Sequence, residues 1–153
     1  MKVLVIGSDG QLGLEFQKIS NSYDSLSWFF STIKTLDLLK LETINSFLSN
    51  INPTVIINCA AYTNVDKAET EPKLADLINH KAVDIISKWT SAKNKKLIHI
   101  STDYVFDGLS KLPLSENSKT NPVNQYGSSK LKGEIACLKN DSNSMVIITS
   151  WLY

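Results

Sequence analysis

The segment MKVLVIGSDGQLG, Met1 to Gly13, limits the fold more than any other stretch of the 153-residue chain. A short β-rich run, Val3–Ile6, enters a turn with glycines at 7, 10 and 13, and an amphipathic stretch, Gln11–Ser20, follows at once. The spacing is GxxGxxG rather than GxGxxG, but the physical demands are shared. Gly7 permits a tight turn, Gly10 lets backbone approach a diphosphate, and Gly13 lets the helix pack closely on the strand. The N–H groups near Gln11 and Leu12 then point at an anion along the helix axis. A plain glycine-rich turn would also fit this spelling. The position, after the first strand and opening the first helix, is the context in which such a motif holds a dinucleotide.

The rest of the chain repeats the strand–helix alternation. Further apolar runs at Trp28–Phe30, Val55–Ile57, Leu97–Ile100 and Met145–Ile148 read as buried strands. Between them, amphipathic segments at about Leu41–Ser49, Pro72–Ser91 and Val123–Leu138 read as helices. This order predicts an α/β fold: a doubly wound, Rossmann-like parallel sheet covered on both faces. Ligands of such sheets bind outside the carboxyl ends of the strands. Residues 1–153 suit one domain.

Composition excludes several function classes. The net charge is +1, which points to neither a nucleic-acid nor a membrane partner. All sixteen basic residues are Lys, so anions must be held by backbone N–H groups, lysines or hydroxyls. Cys59 and Cys137 read as buried thiols in a reducing compartment, and no cluster has metal-ligand spacing. His80 and His99 are expected to be structural. No apolar run approaches transmembrane length, and the expected location is cytoplasmic.

The stretch QYGSSKLKGE places Tyr126 and Lys130 four residues apart, on one face if the segment is helical. Such a pair is either an ordinary solvated pair or an acid–base pair in which the ammonium eases proton loss from the phenol. After the second strand, where a carboxylate would read the ribose 2′-OH of NAD, the chain has Ser31, Thr32 and Lys34 instead, which mildly favours NADP over NAD.

Four blocks together carry a resemblance: GQLG, AAYTNVDKAE, STDYVFDG and TSWLY, with YxxxK between the last two. The chain resembles the extended short-chain dehydrogenase/reductases, in detail the dTDP-4-dehydrorhamnose reductase family. The resemblance implies NAD(P)H-dependent reduction of the 4-keto group of dTDP-4-dehydro-L-rhamnose to dTDP-L-rhamnose. It implies that Tyr126 donates the proton, that Lys130 binds the nicotinamide ribose and lowers the tyrosine pKa, and that Thr102 orients the carbonyl. Asp37 and Leu38 would flank adenine, and Ala60, Ala61 and Tyr62 would line the cofactor. Tyr104 and Trp151 would face the sugar of the nucleotide-sugar substrate. Asn79 matches the asparagine of the active-site tetrad, although a buried helix asparagine bonding a backbone carbonyl is an equal reading. Glu15 matches a carboxylate that in some members binds magnesium at a homodimer contact. Its downstream partners are missing here, so a bare surface glutamate is favoured and no metal is assigned. Asp66 and Glu69 suit a helix start.

Ile148 stands where the family commonly has Arg. The resemblance also implies that the chain is the cofactor half of a longer enzyme, that the C-terminal substrate domain is absent from it, and that it turns over substrate poorly alone. Two other readings stand beside this one. A non-catalytic module like the regulatory subunit of methionine adenosyltransferase would keep the fold. A related epimerase or dehydratase would keep the cofactor, although Asp103 is followed by Tyr104 rather than the Glu common in dehydratases.

Overall fold

The computed structural model describes residues 1–150. Five strands, β1 (Lys2–Ile6), β2 (Ser27–Ser31), β3 (Val55–Asn58), β4 (Lys96–Thr102) and β5 (Met145–Thr149), form one sheet in the order β2-β1-β3-β4-β5. Every neighbouring pair is parallel. The strand order turns outward in both directions from the β1/β3 gap, so that gap is the topological switch point where a ligand crevice opens.

The helices are α1 (Gln11–Ser20), α2 (Leu41–Ile51), α3 (Val65–Thr70), α4 (Pro72–Asp76), α5 (Ala82–Ala92) and α6 (Gln125–Asn140). A single π-helical turn, Leu77–Lys81, joins α4 to α5, so the long helix expected over Pro72–Ser91 is continuous but wider in the middle. Helix α3 lies outside the expected elements. It is a short turn capped by the Asn64 side chain, which accepts from Lys67 N–H.

Both faces of the sheet carry a packed layer, but coverage is uneven, which corrects the expectation of five buried strands. On one face Leu4, Ile6, Ile56 and Leu97 pack under α2, α5 and α6, with Ile44, Leu48, Val83 and Ile86 fully buried. On the other, Val3, Val5 and Ile57 pack with Phe16 of α1 and with Trp28 and Phe30 of β2. That second layer ends near β4. Beyond it Met145 and Ile147 of β5 stay exposed, in register with Ile98 and Ile100. β5 is an edge strand with one face unroofed among the described residues.

Helix α6 lies unusually close to its neighbours. A Cβ on Gly127 would collide with the Tyr104 carbonyl, and one on Gly133 would collide with the Asn79 carbonyl in the π turn. Both clashes are with backbone, which cannot swing aside. Gly133→Ala is therefore expected to push α6 off the sheet and cost about 2 kcal/mol. Urea unfolding measures this, and a midpoint equal to the parent's would refute the tight seat.

Candidate active site

The site begins with the turn after β1. Gly7 has φ +77, and a Cβ there would meet Ala60 N at 2.6 Å. The N–H groups of Gly7 and Ser8 both donate to Ser31 O at 2.9 Å, which fastens the turn to the end of β2. The Gln17 side-chain amide donates to Ser8 O at 2.7 Å from one and a half turns into α1. Gly13 is equally constrained, since a Cβ would meet Ser8 Cα at 2.5 Å.

Gly10 differs. Its backbone is extended, and a Cβ would meet nothing nearer than Gly7 O at 3.4 Å. The protein itself has no need of glycine at this position. The Cβ would instead occupy the open crevice, beside the first-turn N–H groups of α1. That is the space a bound diphosphate requires, so the turn fits the pyrophosphate of a dinucleotide.

The crevice is a cleft of about 530 Å³ at the switch point. Of the residues expected to hold a cofactor, Gly7, Gly10, Gln11, Leu12, Gly13, Asp37, Leu38, Ala60 and Ala61 line it. Tyr62 does not. Its phenol donates to Glu71 at 2.6 Å, and its ring packs with the cluster of Ala68, Ala75 and Tyr126. Ala61 and Thr63 on either side of it line the cleft, while Tyr62 turns away toward Glu71 and Tyr126. At the end of β2, Thr32 and Ile33 line the cleft, whereas the buried Ser31 hydroxyl is engaged with Thr35 Oγ1 at 3.0 Å.

A second cavity, of about 230 Å³, adjoins the first and shares Cys59, Ala61, Thr63 and Ile100 with it. Thr102, Tyr104, Tyr126 and Lys130 meet here. Strand β4 delivers Thr102 at its carboxyl end, and α6 delivers Tyr126 and Lys130 on successive turns. The α6 start is set by Asn124, whose side chain accepts from Gly127 N–H at 2.7 Å. Glu69 adds a bond from Gln125 N–H at 2.8 Å, so this α3 carboxylate serves the start of α6.

The electrostatics of the pair differ from the expected picture. Lys130 is 2% exposed and donates to Ile100 O at 2.6 Å. Its ammonium is pushed down to about 8, chiefly by burial, against a pull upward from Glu134. The Tyr126 phenol is raised above its ordinary value, by burial first and then by Asp103 and Tyr104, with Thr102 drawing it down. Lys130 spends its hydrogen bond on the Ile100 carbonyl, and burial dominates the shift of the phenol. Tyr104 meets Tyr126 edge to face, with ring centroids 5.5 Å apart.

Asn79 makes backbone bonds of the kind expected of a buried helix asparagine. Buried in the π turn, it accepts from Tyr62 N–H at 2.8 Å and donates to Tyr62 O at 3.0 Å and to Ser129 Oγ at 2.9 Å. One side chain thereby ties the loop after β3 to α6. His99 is buried beside Asn58, whose amide lies 3.2 Å from its Nδ1, and burial together with Lys130 keeps it neutral. Cys59 is half-buried, not buried, and lines both cavities; burial pushes its thiol up to about 12. Glu15 is exposed and pairs with Lys18 at 2.6 Å, away from both cavities. No cluster able to hold a metal occurs among the described residues. No described helix is long and apolar enough to cross a membrane. Trp151 lies outside the described residues.

Thr63, Ser101 and Glu134 were not among the expected site residues. Glu134 could have been found by continuing the helical step from Tyr126 through Lys130, and Ser101 by the alternation of β4.

A parallel sheet with a glycine turn at its switch point, and a Tyr–Lys pair in the adjoining cavity, defines a Rossmann-like domain. Over residues 1–153 the chain matches the family described as RmlD substrate binding domain, and it belongs to that family. The dTDP-4-dehydrorhamnose reductase of Escherichia coli K12 is 39% identical over 155 residues, covering 100% of this chain and 52% of that protein. Among solved structures, a dTDP-4-dehydrorhamnose reductase from Clostridium acetobutylicum superposes with TM-score 0.95 at 36% identity, over 100% of this chain and 54% of that one. The Bacillus anthracis reductase, solved in complex with NADP, gives TM-score 0.93 at 35% identity, over 99% and 54%. The chain spans about half the length of these relatives.

Gly13 and Gly10 should separate by stability. Gly13→Ala is expected to cost about 2 kcal/mol by overpacking. Gly10→Ala should stay within about 0.5 kcal/mol of the parent. Thermal melts of both variants check the contrast, and equal losses would contradict it.

Proposed function

We propose that residues 1–153 are the dinucleotide-binding domain of an NADPH- or NADH-dependent reductase that converts dTDP-4-dehydro-L-rhamnose to dTDP-L-rhamnose, with much of the sugar nucleotide held by a second domain. The names of the relatives supply the substrate. The observation that carries the reading is the continuity of the two cavities. A dinucleotide with its diphosphate at Gly10 would run past Ala61 and Thr63, which line both cavities, toward Tyr126 and Lys130.

In this reading the first-turn N–H groups of α1 hold the diphosphate and Leu38 packs on adenine. The reduced nicotinamide supplies hydride when bound. The chain's own residues supply the rest. Lys130 binds the nicotinamide ribose, and Thr102 offers its hydroxyl to the substrate carbonyl. Tyr126 gives its proton to the oxygen as negative charge develops there. Burial raises the Tyr126 phenol, so it is protonated at neutral pH, and a charged Lys130 nearby would ease the loss of that proton. Tyr104, about half exposed at the cavity mouth, presents an aromatic face to the sugar.

NADPH is the preferred cofactor in this proposal. The end of β2 presents Thr32 to the cleft and carries no carboxylate to repel a 2′-phosphate. Two free cysteines suit a cytoplasmic enzyme.

Nicotinamide fluorescence on titrating the chain with NADPH and NADH tests the cofactor assignment. Binding is expected for both, tighter for NADPH. Gly10→Asp should abolish it, while Tyr126→Phe should leave it nearly intact. A Gly10→Asp protein that binds like the parent would refute the placement of the diphosphate. In an assay with dTDP-4-dehydro-L-rhamnose, the chain alone should turn over far more slowly than one fused to the second half of the Escherichia coli relative. Equal rates would show the second domain to be dispensable. In the fused protein Tyr126→Phe should lower kcat by about a hundredfold or more.

A further inference from the structure

Lys130 is a buried ammonium with a single hydrogen-bond partner, the Ile100 carbonyl, and no carboxylate within ion-pair distance among the described residues. A buried ammonium in that position tends to lose its proton, since burial penalises the charged form. One helical turn further along α6 lies Glu134, also buried, at 7% exposure. Its carboxylate accepts a hydrogen bond from the Ser101 hydroxyl. The two ionisable side chains of α6 are therefore anchored to consecutive residues of β4: Lys130 to Ile100 and Glu134 to Ser101. Gly133, seated against the Asn79 carbonyl, brings the helix close enough for both anchors.

We propose that Glu134 is a positioning residue for the reductase chemistry: its buried carboxylate, held by Ser101, is the counter-charge that keeps the Lys130 ammonium charged and in place beside Tyr126. The catalytic meaning rests on the reductase reading; the coupling itself does not.

The surroundings leave Glu134 as the compensating group. From α6, Tyr126 faces the same cavity as a neutral phenol. From the end of β3, Cys59 is held as a neutral thiol, since burial pushes it up to about 12. From β4, His99 is held neutral by burial and by Lys130 itself. The π turn presents the uncharged Asn79. Asp103, beyond β4, acts on Tyr126 rather than on Lys130. Burial pushes the Glu134 carboxyl up, and Ser101 and Lys130 draw it back down. Each of the two groups thus sustains the ionised form of the other.

The coupling is measured on the chain as it stands, without substrate or cofactor. In protein labelled with ¹³C at lysine and glutamate, the Lys130 side-chain signal is assigned by its loss in Lys130→Met and followed against pH. In Glu134→Gln, its midpoint is expected to fall from about 8 by about one pH unit. Because coupling is reciprocal, Lys130→Met should raise the Glu134 carboxyl midpoint by a similar amount. Ser101→Ala should raise that midpoint as well. Amide spectra report which variants fold, and any one that folds is decisive. A Lys130 midpoint unmoved in Glu134→Gln, or a Glu134 midpoint unmoved in Lys130→Met or Ser101→Ala, overturns the proposal. An unmoved midpoint with NADPH still bound overturns the coupling alone. A moved midpoint without NADPH binding overturns the cofactor assignment alone.

Discussion

The interaction on which the site depends is the bond from the Lys130 ammonium to the Ile100 carbonyl. It is buried, and it crosses from α6 to the carboxyl half of β4, one turn beyond Tyr126. Much of the local architecture serves to bring the helix that close. Gly127 and Gly133 remove the side chains that would hold α6 away from Tyr104 and Asn79. Asn124 sets the start of the helix, and Asn79 ties its Ser129 to the loop after β3. An ammonium placed this way is costly to bury without a counter-charge. The polar residues behind it, Ser101 and Glu134, are where the fold answers that cost.

The other half of the site obeys a different constraint. Around the glycine turn the requirement is room rather than charge. Gly7 and Gly13 are demanded by backbone contacts within the protein, and Gly10 by nothing in the protein at all. The chain has no arginine, so an anion here would be met by backbone N–H groups, lysines or hydroxyls, and the N–H groups at the start of α1 are placed for it. The two halves share Cys59, Ala61, Thr63 and Ile100 as a common wall. In the proposed reading this shared wall joins the two cavities into one elongated site.

Much of this was legible in the sequence, for physical reasons that also explain what was not. The strands that cross the sheet centre show as unbroken apolar runs because both their faces are buried, as Leu4 and Val5 show. The run at β5 reads the same way, yet its position at the sheet edge leaves Met145 and Ile147 exposed, and edge placement is not a local property. Tyr126 and Lys130 are found by helical spacing alone. Tyr62 stands among neighbours that line the cleft, and its turn toward Glu71 and the Tyr126 cluster is a tertiary contact that proximity in the sequence does not reveal. The π turn at Leu77–Lys81 has no local signal; within it Asn79 faces Tyr62 and Ser129 together, which are tertiary contacts. The raised Tyr126 phenol likewise depends on burial, which spacing does not reveal.

The central claim is that one nicotinamide dinucleotide spans both cavities, with diphosphate at the α1 turn and nicotinamide beside Tyr126 and Lys130. Backbone amide shifts of the ¹⁵N-labelled chain, compared on adding NADPH and on adding ADP-ribose, test it most directly. NADPH should move the Gln11 and Leu12 amides together with those of Thr102 and Tyr126. ADP-ribose, which lacks the nicotinamide, should move the first pair and leave the second in place. If NADPH leaves Thr102 and Tyr126 where ADP-ribose does, the nicotinamide does not reach the Tyr–Lys pair, and the account fails.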